Sequence, residues 1–472
     1  MVLPVDHWSV TAARRVAALG LAPVGFDASQ RAPTQVEIGR LLHHADSVAA
    51  ERAPAVASLL AGWRRRFADE FGGDGTGWRD ALAGSRLDGG YASSEGRLAT
   101  GWGYMDGHPS GSVWRPPEPI ADESGAFVEP SVQAALRDRA GARLTWRADA
   151  PETGLVEATG AVRWGNVAIW GGRRRIGFGP GRAGAVVLND VQLDGAGIQT
   201  VSPFRLPGLL RWIGPIELDF GLAQEDLQRS FEDAWFFTGR GSIAPHPRLG
   251  LGVTRGVFFG GEGNTDLDWF ALFSVLIGKH AGDGTELDNH LVAVDVSFRA
   301  PTERWLPATF YAEWGFEDSA GAWMNVPGIV AGVTAPAIPR LPELALTLEY
   351  ATFSRSCCAN PRWYRHVHFQ DGWTQDATPL GHPLGGHGSQ WSGVADASLF
   401  DARMNARVEV FARRRGDENL YDPVRTGDSR GVTASLEAGT GAWRTLVAAS
   451  HEGGDGWHET QLSVGLRALL QE

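Results

Sequence analysis

The fold class this sequence predicts is mostly β: a large antiparallel β-barrel of the membrane-spanning kind, preceded by a small helical bundle. Three observations predict it. Apolar and polar residues alternate with a period of two along most of the chain, short and long connections sort onto opposite ends of the strands so defined, and no apolar run approaches the roughly 18 residues of a spanning helix.

The alternation is clearest over Asp288–Arg299. Val292, Val294, Val296 and Phe298 fall on one face, and Ala293, Asp295, Ser297 and Arg299 on the other. A half-buried strand of a soluble sandwich reads the same way, so the weight rests on recurrence. In Thr309–Glu317, Phe310, Ala312, Trp314 and Phe316 alternate with Tyr311, Glu313, Gly315 and Glu317. The dyad returns in Leu344–Tyr350, Ile216–Leu222, Met404–Ala412, Val432–Ala438 and Thr460–Leu470. The links at 300–306, 338–343, 400–402 and 439–442 are short, whereas those at 258–289, 355–390 and 413–431 are long. Brief turns at one end and extended loops at the other are what an outer-membrane barrel shows, and a sandwich has no reason to sort its loops so. At roughly 20 residues per strand and connection, the chain from residue 86 holds on the order of 16–20 strands. Trp212, Trp305 and Trp443 stand beside the short turns, where an aromatic girdle sits.

The segment before the strands, within residues 1–85, reads as helix. Ser9–Leu19 is alanine-rich, and Thr34 with Glu37 forms a capping pair ahead of Ile38, Leu41, Leu42, Ala45 and Val48 on one face. A third helix opens on Pro54, carries Val56, Leu59, Leu60, Trp63, Phe67 and Phe71, and stops at Gly72-Gly73. Its aromatic stripe reads as packed core in preference to a binding face.

Of 472 residues, 43% are hydrophobic and 21% charged, which supports a large core and excludes disorder as the main state. A formal charge of −12 argues against a nucleic-acid partner. Cys357 and Cys358 are adjacent and read either as a strained oxidised pair or as two idle thiols. The start, MVLPVDHW, has neither the basic nor the apolar region of a secretion signal, so an envelope location implies a leader already removed. The end, Leu470-Gln471-Glu472, lacks the final aromatic on which outer-membrane barrels commonly finish.

Three motifs invite a functional reading. Gly179-Pro180-Gly181-Arg182-Ala183-Gly184 matches G-x-G-x-x-G, but the β-like run Ala185–Leu188 follows where a dinucleotide site needs a helix, so no cofactor is expected. His366, His368, His382 and His387, with Asp371 and Asp376, match no zinc spacing and read as solvated loop groups; no metal is expected. Asp295, Glu313, Glu317, Glu349, Glu409 and Glu437 face the polar side, where paired carboxylates serve glycosidases. Arg299, Arg407, Arg444 and Arg467 share that side, and pairing inside a filled lumen accounts for both sets without catalysis. Recognition is expected in the long loops: Trp363, Tyr364, Arg365, His366 and Trp373 in one, Arg413, Arg415, Tyr421 and Arg425 in the other. Aromatic faces stack on sugars and guanidinium forks grip carboxylates, which suits an acidic polysaccharide.

Several runs resemble the capsule-assembly Wzi family. They are Gly172–Gly181, Leu188-Asn189-Asp190, Pro203-Phe204 with Ile213-Gly214-Pro215, Leu249–Arg255, Asn289-His290 through Arg299, Tyr311-Ala312-Glu313, Leu348–Ala351 and Leu380–Gly385, together with Asp6-His7-Trp8 near the start. The resemblance implies a barrel of about 18 strands (86–472) with a periplasmic helical bundle (1–85). It also implies a non-enzymatic, lectin-like protein that attaches capsular polysaccharide or exopolysaccharide to the cell surface. The expected partners are that polymer and outer-membrane lipid, and the expected state is a monomer. A passive porin and a β-rich glycoside hydrolase are the competing readings.

Overall fold

The computed structural model describes residues 3, 7–29, 33–72, 82–95, 124–136, 139–149, 153–224, 231–264, 288–317, 327–355, 363–366, 369, 372–375, 378–421 and 425–470. Cys357, Cys358, His368, Asp371 and Asp376 lie outside them.

Eighteen long strands close into one antiparallel barrel. In chain order they are β1 (Arg86–Glu95), β2 (Ser124–Leu136), β3 (Ala140–Asp149), β4 (Thr153–Trp164), β5 (Val167–Phe178), β6 (Leu188–Thr200), β7 (Pro215–Gln224), β8 (Trp235–His246) and β9 (Leu249–Phe259). There follow β10 (Asn289–Arg299), β11 (Thr309–Glu317), β12 (Gly328–Ala335), β13 (Leu344–Phe353), β14 (Gly388–Leu399), β15 (Met404–Arg415), β16 (Gly427–Thr440), β17 (Trp443–Gly454) and β18 (Trp457–Leu469). Each strand pairs with its successor, and β1 pairs with both β2 and β18, so Asp88 stands opposite Glu129 on one side and Arg467 on the other. Closure leaves no sheet edge, the condition for a backbone to cross hydrocarbon on strands.

The period of two decides what each face meets. Along β10, Val294, Val296 and Phe298 are exposed while Leu291, Ala293 and Asp295 are buried. The same outward set recurs around the barrel in Leu87, Val132, Leu348, Val410 and Val464, an apolar belt that would be unstable in water and fits acyl chains. Trp164, Trp212, Trp305 and Trp443 are exposed beside the turns at one end, and Trp235 and Trp391 lie near the other.

Three helices cap the short-turn end: α1 (Trp8–Ala18), α2 (Gln35–Arg52) and α3 (Ala57–Phe71). The Thr34–Glu37 capping box forms as expected, and Gly72 ends α3. Pro54 opens a single 3-10 turn ahead of α3 instead of its first α turn. Ile38, Leu41, Leu60 and Trp63 pack between the helices, with Ala337 and Ala402 of the strand turns in the same cluster. Arg15, on α1, donates to the carbonyls of Pro336, Pro342 and Glu343 in the β12–β13 turn at 3.0–3.1 Å. Arg66 of α3 donates to the Ala402 carbonyl at 2.9 Å and to Glu437. Gly62 is required at the closest approach, since a Cβ there would sit 2.9 Å from the Asp401 backbone. The bundle is therefore fastened to the barrel by carbonyls of its tight turns, that of Glu343 being shared with the Ser398 amide.

Candidate functional site

At the end of the barrel opposite the bundle, two connections fold into the lumen. Residues 179–187 join β5 to β6 and 354–387 join β13 to β14, and Val186 and Val187 of the first lie in one buried cluster with Trp363, Tyr364, Phe369 and Trp373 of the second and the inward faces of the strands. Trp363 and Trp373 are 0% exposed. Glycines on the wall make their room: a Cβ at Gly328 would sit 2.7 Å from the Trp363 indole, and one at Gly256 2.6 Å from that of Trp373. Trp373 Nε1 donates to the Val187 carbonyl at 2.7 Å, and the Tyr364 hydroxyl donates to Val186 at 2.6 Å while accepting from the His382 amide at 2.9 Å. The G-x-G-x-x-G run lies in this plug. Its glycines serve packing, because a Cβ on Gly184 would meet His382 at 2.4 Å.

The inward carboxylates hold the plug. Glu313 accepts from the Val186 amide at 3.0 Å, Glu317 from the Tyr364 amide at 3.0 Å, and Glu349 from the amides of Arg182 and Ala183 at 2.6 and 3.1 Å and from the Tyr311 hydroxyl at 2.5 Å. Backbone amides, which the expected charge pairing did not include, hold these glutamates. Guanidinium pairing does occupy several other inward acids: Arg407–Asp396 at 3.0 Å, Arg240–Asp295 at 2.7 Å and Arg467–Asp88 at 2.8 Å. Among the described residues no group of three or more His, Cys, Asp or Glu is placed to hold a metal ion.

The residues singled out for recognition divide into three places. Trp363, Tyr364 and Trp373 are inside the plug, so the expectation that their ring faces stand free for sugars is corrected. The physical reason is their company: Phe369, Leu380 and Leu384 belong to the same connection, and that much apolar surface is buried once a cavity is offered. Arg365 and His366 are half-buried next to them, Arg365 donating to the Asn419 carbonyl and the His366 Nδ1 accepting from the Phe369 amide at 3.1 Å. Arg413, Arg415, Tyr421 and Arg425 come together near the loop ends of β15, β17 and β18 and are buried. Arg413 and Arg415 share Glu452 at 2.7 and 2.8 Å, Arg425 pairs with Glu459 at 2.9 Å, and the Arg415 guanidinium stands 4.9 Å from the Tyr421 ring centre. Trp457 completes the cluster 5.2 Å from Arg425. Glu452, Glu459 and Trp457 were not foreseen, although inward alternation along β17 and β18 places all three on the lumen face. At the surface of this end Arg355 and Arg414 are exposed, the first paired with Asp417 at 3.3 Å.

Comparison with known proteins agrees with this geometry. The profile of the family described as capsule assembly protein Wzi matches residues 119–450. An uncharacterized 55.8 kDa protein in the cps region of Klebsiella pneumoniae is 24% identical over 304 residues, 61% of this chain and 60% of the relative, so the match spans less than two thirds of that protein's length. The solved structure of Escherichia coli Wzi, an outer membrane protein involved in group 1 capsule assembly and a carbohydrate-binding β-barrel, superposes with a TM-score of 0.74 at 17% identity, covering 98% of each chain. With its family profile matched over most of its length and its barrel, plug and bundle accounted for residue by residue, the chain belongs to the capsule assembly protein Wzi family.

Proposed function

We propose that this protein is a non-catalytic outer-membrane barrel, acting as a monomer, that attaches capsular polysaccharide or exopolysaccharide to the cell surface. Family membership and the fold shared with a carbohydrate-binding barrel support the reading. The observation that carries it is the filled lumen. Loops pack the cylinder from one end and helices cap the other, so the barrel serves as a rigid mount for its outward face instead of as a conduit.

In this reading the buried rings of Trp363, Tyr364 and Trp373 set the shape of the outward face. Arg365 and His366 present polar edges on it, and Arg413, Arg415, Tyr421 and Arg425 brace the neighbouring loop. The inward glutamates are structural, because each of Glu313, Glu317 and Glu349 is engaged by backbone amides of the plug. Arg355 and Arg414 are exposed and paired with the exposed Asp417 and Asp428, and an acidic polymer would engage them by exchanging its own carboxylates for these.

Binding of the detergent-purified protein to immobilised acidic capsular polysaccharide tests this. The wild type is expected to bind in a salt-sensitive manner, and the double variant Arg365→Ala/His366→Ala to bind at least about tenfold more weakly, a loss of about 1.4 kcal/mol. Equal binding by both proteins removes these two residues from the site, and no binding of any polymer by the wild type removes the function.

A further inference from the structure

A cavity of about 200 Å³ lies at the opposite end of the barrel, between the helical bundle, the start of the plug and the inner wall of β8 to β11. Its charged lining is mostly arginine. Arg14 and Arg52 come from the bundle, Arg182 from the plug, and Arg240, Arg248 and Arg299 from the wall and its turn.

Of the carboxylates that line the cavity or its rim, each is already engaged by an arginine. Asp27 and Asp295 line the same space, but both are engaged by Arg240, at 2.6 and 2.7 Å. Glu303, in the turn after β10, is shared between Arg248 and Arg299, the latter at 3.8 Å. Arg14 donates to the carbonyls of Gly179, Pro180 and Gly181. Arg182 is buried, with its amide held by Glu349 and its carbonyl by Arg407; Asp396 and Glu349 act on its guanidinium through charge, but among the described residues that guanidinium makes neither a hydrogen bond nor an ion pair. Arg52 is exposed at the bundle end and is likewise without an ion pair among the described residues. A buried guanidinium facing a cavity without an acceptor is costly unless an anion meets it.

The local backbone explains how so many cations are tolerated. Gly20 ends α1 with φ +73°, and the Leu21 and Gly20 amides return to the carbonyls of Val16 and Ala17 in a Schellman turn. The Arg299 guanidinium packs directly on Gly20, where a Cβ would sit 2.2 Å from it, and so stands at the negative end of the helix dipole.

We infer that this cavity is a second binding site, distinct from the outward polysaccharide face, and that it takes a small anion of monosaccharide size bearing a carboxylate or a phosphate. Guanidinium forks arriving from bundle, plug and wall suit an oxyanion approached from several directions. A cavity of this size accommodates a single sugar-sized body and no polymer. The site does not depend on polysaccharide attachment and stands or falls separately from it.

Isothermal titration of the full-length protein in detergent tests the inference with three anionic probes, sodium galacturonate, glucose 1-phosphate and inorganic phosphate, and with galactose as the neutral control. Saturable binding of at least one anion is expected, with none of galactose. Arg182→Gln and Arg299→Gln should each weaken it at least about tenfold, whereas Arg365→Ala/His366→Ala on the outward face should leave it unchanged. Preference for galacturonate identifies a carboxylate ligand, and binding confined to the phosphates identifies a phosphate one. If Arg182→Gln loses the heat-dependent gel shift of a folded barrel, Arg52→Gln, at the solvent-exposed mouth, decides in its place with a weakening of about threefold. The inference is overturned if no anion binds saturably, or if binding is the same in the wild type and in the folded arginine variants.

Discussion

Glu349 shows how single side chains decide what the lumen is. Its two oxygens accept from the amides of Arg182 and Ala183 and from the Tyr311 hydroxyl, all within 3.1 Å. An acid so engaged at its backbone side is a clamp on the plug, and it differs from the mobile, solvated carboxylate pair that sugar hydrolysis uses. Glu349→Ala leaves buried donors with no acceptor, at a cost of about 1–3 kcal/mol for each donor left unpaired. The expected outcome is loss of hydrogen-exchange protection at the Arg182 and Ala183 amides while the strand amides stay protected. Unchanged protection there would mean that the plug is held by packing alone. In the sequence the polar side of β13 was plain from the alternation, but the partner of Glu349 was not, because a backbone amide carries no residue-type signature.

The elements differ in how far the sequence foretold them. Helix α2 was legible because a capping box and a one-face apolar pattern are local, and the strands were legible because a period of two is imposed by the barrel wall itself. The destination of the 354–387 connection was not legible. Aromatics in a loop carry the same letters whether they stack on a sugar or fill a lumen, and the hint lay far away, in wall glycines such as Gly256 and Gly328 that leave room for indoles. Docking of the bundle carries its own titration. Burial first, then the charges of Asp27 and Asp219, push the Glu37 carboxyl up to about 8 against the pull of the Thr34 amide. In Glu70, by contrast, His7 and Arg66 overcome burial and hold the carboxyl well below the usual range. A raised carboxyl pKa makes the folded state favour the protonated form, so the Glu37 contribution is full below pH 4.5 and is lost as pH rises toward 8. Glu37→Gln keeps the capping geometry without the charge, and at pH 8 it should stabilise bundle docking by on the order of 2 kcal/mol. Limited proteolysis of the bundle across pH 5–8 checks this: the wild type should become more susceptible as pH rises and the variant should not, and parallel profiles would contradict it.

At the scale of the whole molecule, the described residues form a cylinder filled from both ends. Eighteen strands turn valine, leucine and phenylalanine outward in a continuous belt, and the polar lumen is filled by a loop plug at one end and closed by helices at the other. An empty barrel of this strand number would hold a water-filled channel, so the fillings decide between a pore and a mount for surface polymer. Trp363, Trp373 and Tyr364 are spent on closure, and Arg15 and Arg66 fasten the lid to the turns. Single-channel recording of the purified protein in a planar lipid bilayer is the most direct test. A filled lumen predicts insertion without steady conductance steps, whereas stable, ohmic openings in the intact wild-type protein would contradict it.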